Sequence, residues 1–388
     1  MKPFFRAMWP VRALRMAPLA GIVAAVLIAS AVPTTAQQPN PNVRPPAGAV
    51  QSSQPDAPNA PGAVRPWNYD AEMWHQLRQG IEGKVSIQDG KAGRLVDSSG
   101  EAWRNFRNGP LPTYGAWFLA ATLGVIALFF LIRGRIKIEH GWAGRTIERF
   151  NSLERMGHWL LATSFILLAL TGLNILYGRY WLLPVIGKEA FAAITLAGKL
   201  VHNYVSFAFM FGLLWVFVAW VRHNIPHWRD LQWLAMGGGM LVKGVHPPSW
   251  KFNAGQKILF WLIILGGISI SLSGLSLMFP YELPMFAKTF SAINSIFGTD
   301  LPTALSVNQE MQYSSLWHAM MALFLTAVIL GHIYIGTLGM QGAFSAMGSG
   351  QVDIEWAKQH HSLWAEEVLK GEGERPVDTG EVRPQPAE

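Results

Sequence analysis

Four histidines of this sequence lie in or at the edge of long apolar segments. They are His158, His202, His318 and His332. An ionisable side chain is costly inside a lipid bilayer and usually serves a functional site there. Because imidazole nitrogen binds zinc, copper, nickel and haem iron, metal ligation is the first chemistry to consider. For any one of these residues alone, a hydrogen bond between helices is the alternative.

His318 and His332 belong to one apolar segment and are 14 residues apart. In a helix this separation is about 21 Å along the axis, and the two residues lie within about 40° of the same face. One metal ion cannot span that distance, whereas two haems, one near each membrane surface, fit it. Two axial histidines leave no open position on iron, which suits electron transfer and disfavours oxygen binding. Two-histidine zinc or copper sites are the alternative, but they would leave zinc's tetrahedron half filled.

Composition supports a redox group held by histidine in a membrane. The chain has 388 residues, of which 51% are hydrophobic and 14% charged, and it has no cysteine. Absence of cysteine excludes disulfides, thiolate zinc sites, iron–sulfur ligation and c-type haem attachment. The formal net charge of +7 requires no nucleic-acid partner, because lysine and arginine are enriched in the cytoplasmic loops of membrane proteins.

Five apolar segments are each long enough to cross a hydrocarbon layer of roughly 30 Å. Their cores are about 114–132, 158–177, 201–221, 258–279 and 316–338, and none contains Asp, Glu, Lys or Arg. They lack the alternating pattern of a membrane barrel, so the backbone must be helical. The sequence therefore predicts an all-α membrane protein with five transmembrane helices after its N-terminal region.

The N-terminal region has three parts. Residues 1–36 carry four basic residues, an apolar core and a sequence ending at Ala36, which is typical of a secretory signal peptide cleaved after Ala36. An uncleaved anchor helix is the alternative, because Thr34 is large for its position. Residues 37–66 contain eight prolines and predict an exported disordered linker. Residues 67–112 then form an exported-side segment before the helix at 113–133.

The basic residues between helices predict the orientation. The loops after the first and third apolar segments are rich in basic residues and should be cytoplasmic. The first contains Arg133, Arg135, Lys137, Arg145, Arg149 and Arg155, and the second contains Arg222, Arg229, Lys243, Lys251 and Lys257. The loops 178–199 and 281–312 contain few basic residues and should face the exported side. We therefore expect a multi-pass protein of the bacterial inner membrane, with a periplasmic mature N-terminus, a cytoplasmic loop at 134–155 and a cytoplasmic tail at 351–388.

This orientation also predicts which histidines meet. The last helix runs from outside to inside, so His318 lies near the exported face and His332 lies deeper. His202 begins an outside-to-inside helix, whereas His158 begins an inside-to-outside helix. We therefore expect His202 and His318 to hold an exported-side haem, and His158 and His332 to hold a cytoplasmic-side haem.

Four short motifs accompany these histidines. They are Arg-Phe-Asn-Ser-Leu-Glu-Arg at 149–155 before His158-Trp159, Arg-His-Asn-Ile-Pro at 222–226, Asn-Ala-Gly-Gln-Lys at 253–257, and Trp-Ala-Lys at 356–358 before His360-His361. Together they resemble the gamma subunit of respiratory formate dehydrogenase, a cytochrome b membrane anchor, over roughly 149–367. The family's short form begins near Arg149, so the helix at 113–133 is an addition.

The resemblance implies a four-helix dihaem cytochrome b bundle at 156–350 plus one extra N-terminal transmembrane helix. It implies two haem b groups, with the four histidines as axial ligands, and a quinone site at the cytoplasmic haem. The matching quinone-site residues are Asn253, Gly255, Gln256 and His332. Side-chain amides there can hydrogen-bond a quinone carbonyl, but a solvated loop with Asn253 as a helix cap is the alternative.

The function implied by the resemblance is electron transfer from an iron–sulfur beta subunit through the two haems to quinone. Formate oxidation would belong to a molybdenum or tungsten alpha subunit, since this chain has no cysteine or selenocysteine to ligate that metal. The alternatives are a dihaem subunit of a hydrogenase or sulfur-compound reductase, or a haem-free transporter or structural anchor. We expect the remaining histidines of the loops and tail to be solvated, with proton exchange with quinone as the alternative; they include His223, His227, His246, His360 and His361.

Overall fold

The computed structural model describes residues 99–373 except residues 241 and 243. The predicted signal peptide at 1–36, the linker at 37–66, most of the segment at 67–112 and the end of the tail lie outside the described residues. Helices make up most of the described chain.

Five helices, or pairs of consecutive helices, are long and apolar enough to cross a membrane, which confirms the five predicted spans. In chain order they are α1 (Ser99–Asn108) with α2 (Pro110–Arg133), α3 (Ser152–Trp181), α4 (Leu183–Trp220), α6 (Ala254–Met278) and α8 (Val307–Tyr334). Between them lie two short helices, α5 (Trp228–Ala235) and α7 (Phe286–Phe297). The chain is a multi-pass helical membrane protein.

Three bundle helices begin with the same local structure. Asn151, Asn253 and Ser306 are the N-caps of α3, α6 and α8. In each helix, the side chain of the N-cap residue accepts a hydrogen bond from the backbone N–H of the residue three positions later. The side chain of that later residue accepts a hydrogen bond from the backbone N–H of the N-cap residue. Such capping boxes satisfy backbone donors that would otherwise lack partners. They define where each helix begins, and His158 lies two turns into α3.

The bundle is built from two closely packed helix pairs, α3 with α4 and α6 with α8. Small residues allow the backbones to approach: a Cβ added to Gly212 of α4 would lie 3.0 Å from the backbone nitrogen of Leu161 in α3. The additional helix α2 packs against α8, and the phenol of Tyr177 in α3 donates to the carbonyl oxygen of Pro112 at 3.1 Å. The extra helix is therefore part of the bundle.

One end of the bundle carries a packed polar cap, which we define as residues 134–155, 249–253 and 340–373. Strand β1 (Thr146–Glu148) pairs antiparallel with β2 (Gln351–Asp353). A π-helical turn (Ile335–Gly339) follows α8; α9 (Ser345–Gly348), α10 (Ile354–His360) and α11 (Ser362–Gly373) complete the cap. Its buried apolar residues include Ile147, Phe150, Phe252, Val352, Trp356 and Trp364. The two strands were not predicted, because each has only three residues.

The opposite end is closed by α7, which lies in the loop between α6 and α8. The backbone N–H groups of Phe286 and Ala287 each donate to the carboxylate of Glu310 at 2.8 Å. Glu310 belongs to the first turn of α8 and is only 2% exposed. A carboxylate at a helix N-terminus satisfies its backbone donors and complements the helix dipole, so Glu310 fixes α7 onto α8.

Candidate functional site

The structure brings the four histidines together as two pairs. The ring centroids of His202 and His318 are 6.1 Å apart, and those of His158 and His332 are 6.2 Å apart. The two rings are inclined by 63° and 64°, respectively. His158 belongs to α3 and His202 to α4, while α8 contributes one member of each pair. The two pairs thus lie about 21 Å apart along α8.

This spacing fits a metal ion between two imidazoles. A metal–nitrogen bond of about 2 Å, with the ring centre about 1 Å beyond the nitrogen, puts the two ring centres about 6 Å apart. Although all four residues are described, no hydrogen bond joins the rings of either pair; Nδ1 of His202 and of His318 is bonded elsewhere. The donor set is two neutral nitrogen ligands, which suits haem iron.

The pair formed by His202 and His318 is enclosed by hydroxyl groups and glycines of neighbouring helices. Thr171 Oγ1 in α3 lies 2.8 Å from Nδ1 of His202, and Ser273 Oγ in α6 lies 3.0 Å from Nδ1 of His318. The next residue in each helix is a glycine facing the same ring. A Cβ added to Gly172 would lie 3.4 Å from Cε1 of His202, and one added to Gly274 would lie 3.2 Å from Cε1 of His318. Both rings are therefore held on the side of Nδ1 and Cε1.

The other pair has a more aromatic environment. The ring of His158 lies 5.3 Å from Trp159 and 6.4 Å from Trp220, measured between centroids. Nδ1 of His158 is buried and has no hydrogen-bond partner in the described part of the chain. Next to His332, Gly331 has open space on its Cβ side. The two pairs share their spacing but differ in what holds Nδ1.

The three residues of the Asn-Ala-Gly-Gln-Lys motif that were expected at a quinone site lie at the start of α6. Asn253 Oδ1 accepts from the backbone N–H of Gln256 at 3.0 Å, and Gln256 Oε1 accepts from that of Asn253 at 3.1 Å. The capping alternative for Asn253 is therefore present in the structure. The amide nitrogens of both side chains donate to no described residue, and both residues are partly exposed. Gly255 packs against Trp233, and no hydrogen bond links the motif to His332 within the described ranges.

An apolar groove of about 830 Å³ runs along α6 between α5 and α8. Ala254 and Lys257, within the first turns of α6, line one end of it, and Phe324 of α8 lies farther along. Lys257 forms an ion pair with Asp230 of α5 at 2.9 Å. The groove thus begins beside the motif and continues along apolar helix surface.

Arg149 is the main residue near this motif whose role the sequence did not indicate. It is 3% exposed, and burial lowers its pKa to about 9. The guanidinium donates to the carbonyl oxygen of Lys251 at 2.9 Å and to Gln256 Oε1 at 3.3 Å. It lies over the rings of Phe150 and Trp356 at 5.2 and 4.9 Å. Its position directly before Phe150 in the 149–155 motif was the available signal, but the basic-residue count assigned it only to a loop.

The expectation that His360 and His361 are solvated is wrong. His361 is 1% exposed, and its Nδ1 donates to the carbonyl oxygen of Trp250 at 2.7 Å. Burial lowers the pKa of His360 to about 3, with a further lowering from His246 and Arg149, and it lowers the pKa of His361 well below the usual value. His361 and the Nε2 atom of His360 are buried because α10 and α11 fold onto the bundle, which the polar composition of the tail concealed.

The other loop histidines have local roles at the same end. Nδ1 of His227 accepts from the backbone N–H of Arg229 at 3.2 Å and caps α5. Nε2 of His246 lies 2.9 Å from Oε2 of Glu139, and its ring is 6.5 Å from that of His360. The hydrogen bond from His246 is the largest cause of the lowered pKa of Glu139. His246 thus connects the loop before α6 to the cap, whereas the hydrogen bond of His227 lies within the start of α5.

Apolar helices with two facing histidine pairs define a helical membrane protein of the cytochrome b type. The family model for prokaryotic cytochrome b561 matches residues 149–350, which include all four histidines. The chain belongs to the prokaryotic cytochrome b561 family. Membership implies binding of haem b, and the spacing of the histidine rings fits that group.

Several curated relatives are similar to most of this region. The formate dehydrogenase, nitrate-inducible, cytochrome b556(Fdn) subunit of Escherichia coli (strain K12) is 29% identical over 239 residues, covering 61% of this chain and 98% of the relative. The formate dehydrogenase cytochrome b556(fdo) subunit of the same organism is 28% identical over 226 residues, covering 58% and 94%. The formate dehydrogenase cytochrome b556 subunit of Haemophilus influenzae is 27% identical over 228 residues, covering 58% and 84%.

Proposed function

We propose that this chain is the cytochrome b subunit of a respiratory formate dehydrogenase. It anchors the complex in the membrane and carries electrons from an iron–sulfur subunit to quinone. The observation that carries the proposal is the pair of histidine sites with ring centres 6.1 and 6.2 Å apart. The donor is inferred from relatives that are named as formate dehydrogenase cytochrome b556 subunits.

Each histidine pair holds one haem b, His202 with His318 and His158 with His332. When bound, haem b supplies reversible one-electron transfer, with a potential set by its ligands and surroundings. The two imidazoles of each pair would hold the haem iron between two helices, an arrangement that would suit electron transfer rather than binding of other ligands. The apolar helices keep water away from the rings and fix the two sites at different depths.

The basic residues support an orientation with the cap in the cytoplasm. Arg133 donates to the backbone carbonyl of Met240, Arg155 to that of Gly348, and Lys251 pairs with Glu154. Segments assigned to the cytoplasm by their basic residues thus contact one another at one end. The positive-inside rule then puts His158 and His332 near the cytoplasm. The iron–sulfur beta subunit and the molybdenum or tungsten alpha subunit would lie on the exported side, by resemblance to the family.

Quinone binds at the start of α6, near the cytoplasmic-side haem. The side-chain oxygens of Asn253 and Gln256 are engaged in the capping box, and Arg149 further holds the oxygen of Gln256. Their amide nitrogens remain as donors for a quinone carbonyl. Gly255 has no side chain and so leaves space beside these two amides. His332 is the nearby haem ligand. The groove along α6 offers apolar surface for the isoprenoid tail of the quinone.

Reduction of the haems by formate in native membranes tests this function. Formate should produce a reduced low-spin b-type spectrum in membranes that contain this chain, and added quinone should reoxidise it. Membranes from a strain lacking the chain should lose formate-dependent quinone reduction. Reduction by hydrogen but not by formate would support the hydrogenase alternative, while a purified protein without b-type absorption would contradict every redox function.

A further inference from the structure

The two hydroxyl groups beside the exported-side histidines form a repeated arrangement. Thr171 of α3 and Ser273 of α6 each lie within 3.0 Å of a histidine Nδ1. Each hydroxyl residue and the histidine that it contacts lie in different helices, because His202 belongs to α4 and His318 to α8. Each closely packed helix pair therefore supplies one histidine and one hydroxyl from its partner helix.

The glycine that follows each hydroxyl makes this contact possible. Gly172 faces Cε1 of His202, and Gly274 faces Cε1 of His318. Added Cβ atoms would lie 3.4 and 3.2 Å from those carbon atoms, so larger side chains would displace the rings. A hydroxyl residue followed by glycine thus provides both a hydrogen-bond partner and the room for an imidazole.

The hydrogen bonds of the two hydroxyl groups also favour one ring nitrogen of each histidine as the carrier of the proton. Thr171 Oγ1 donates its one proton to the backbone carbonyl of Leu167 at 2.8 Å, and Ser273 Oγ donates to that of Ile270 at 3.0 Å. A hydroxyl whose proton is already donated can only accept a further hydrogen bond. This arrangement favours Nδ1 of each histidine as the protonated donor, a role that the backbone carbonyls of Leu168 and Ile270 near the two rings also support, and it leaves the lone pair on Nε2.

We propose that Thr171 and Ser273 are positioning residues of the exported-side haem, an inference that rests on the proposed function. They hold the Nδ1–H groups of His202 and His318 and direct Nε2 of each ring to the iron. An imidazole that donates its outer N–H becomes a more basic ligand. A more basic ligand stabilises ferric iron, so the two hydroxyls lower the reduction potential of this haem.

The cytoplasmic-side pair lacks this arrangement. Nδ1 of His158 has no partner in the described part of the chain, and no hydroxyl is bonded to His332 there. Two sites with the same ligand types thus differ in their hydrogen bonds to Nδ1. This difference favours electron flow from the exported-side haem, with its lowered potential, toward the cytoplasmic-side haem.

The same helices contain matched hydroxyl residues without a histidine. Thr163 of α3 donates to the carbonyl of Trp159 at 2.6 Å, and Ser271 of α6 donates to that of Gly267 at 2.7 Å. Such bonds to a preceding carbonyl are ordinary in apolar helices. Thr163→Val and Ser271→Ala therefore control for the loss of a hydroxyl in the same helix.

Potentiometric titration of the intact complex tests the proposal, with haem content and the ferric low-spin resonance spectrum recorded in parallel. Thr171→Val and Ser273→Ala should each raise the midpoint potential of one haem, the one that His202→Ala removes. The affinity of that site for haem should fall roughly tenfold, the lower end of the usual loss when a metal ligand loses its hydrogen-bond partner. Thr171→Ser should restore the wild-type potential, and the two control variants should not change it.

Unchanged potentials in both Thr171→Val and Ser273→Ala would overturn the proposal and leave the proposed function intact. Equal shifts in the control variants would also overturn it, because they would assign the effect to helix packing. Should Thr171→Val fail to assemble, Thr171→Ala provides the same test with a smaller side chain. The titration uses a chemical reductant, so it is independent of whether formate is the physiological donor.

Discussion

Arg149 is a buried cation without a carboxylate partner among the described residues. Its guanidinium is held by two oxygen acceptors and by aromatic rings. A planar guanidinium can bond two oxygens in one plane while stacking on rings, which lysine cannot do. One of its acceptors is Gln256 Oε1, so Arg149 connects the packing of the cap to the orientation of a proposed quinone-binding amide.

Replacement of Arg149 should therefore affect the binding of quinone more than the binding of haem. In Arg149→Gln we expect the KM for quinone to rise about tenfold, the cost of roughly one hydrogen bond to a charged group, with both haems retained. Steady-state quinone reduction and the reduced optical spectrum measure the two effects. Arg145→Gln, at an exposed position of the same loop, should change neither. Loss of haem with an unchanged KM would contradict this role.

At the residue scale, histidines could be selected from sequence because an imidazole at membrane depth is unusual. Thr171 and Ser273 could not, because hydroxyl residues in apolar helices commonly bond only to their own backbone, as Thr163 does. Only the packed structure shows which hydroxyl faces a ring. The capping role of Asn253 was weighed from its residue type, whereas the contact between Gln256 and Arg149 needed tertiary structure.

At the scale of elements, the approach of α3 to α4 depends on Gly212. A Cβ at this position would meet the backbone nitrogen and Cα of Leu161 at 3.0 and 3.1 Å, and backbone cannot rotate away as a side chain can. Leu161 is one turn from His158, so separation of these helices would also move the ring of His158.

Gly212→Ala should thus destabilise the bundle and weaken the haem site proposed at His158 and His332. We expect a loss of about 1–3 kcal/mol in the free energy of unfolding, the usual cost of overpacking. Thermal unfolding in detergent, followed by helix signal and haem absorption, measures it. Gly124→Ala in α2 is the control, because its added Cβ would meet nothing within 4 Å. Equal stability of the two variants would contradict the packing argument.

The cap should loosen in acid because it buries the side chain of His361 and the Nε2 atom of His360. Their folded pKa values lie below the ordinary value, at about 3 for His360 and well below the usual range for His361. The unfolded state therefore binds more protons below about pH 6.5, and stability falls as the pH drops from there toward 3. Above about pH 6.5 these groups make no pH-dependent contribution.

Limited proteolysis of the cap between pH 7 and 5 measures this effect. Cleavage should increase as the pH falls, and His360→Phe, which keeps a ring beside Trp356, should reduce the dependence. His140→Phe, at an exposed position, should leave it unchanged. An unaltered pH dependence in His360→Phe would contradict a contribution from His360 and assign the effect to other groups, such as His361, Glu139 or His246.

Helices and strands differed in how well the sequence predicted them. The transmembrane helices are long and free of charge in their cores, so their positions followed from hydropathy, and three of them begin at a capping residue. Strands β1 and β2 are too short for a periodic pattern and pair across about two hundred residues. The cap was missed for the same reason, since Trp356 and Trp364 stand among polar residues and find their partners only in the folded chain.

For the whole molecule, the distribution of basic residues predicts a cytoplasmic cap. The chain has no cysteine, so single cysteines can report the side of the membrane. Lys288→Cys in α7 should react with a membrane-impermeant thiol reagent in right-side-out vesicles, and Lys358→Cys in α10 only in inverted vesicles. Both positions are exposed. The reverse labelling pattern would contradict the orientation and the assignment of the two haem sites to membrane faces.

The central claim, that each histidine pair holds one haem, is tested most directly by haem content and low-temperature optical spectra of single-histidine variants. Wild-type protein should contain two haems per chain with two resolvable components. His202→Ala and His318→Ala should each lose the same component and retain one haem, whereas His158→Ala should lose the other. Loss of the same component in His202→Ala and His158→Ala would contradict the pairing.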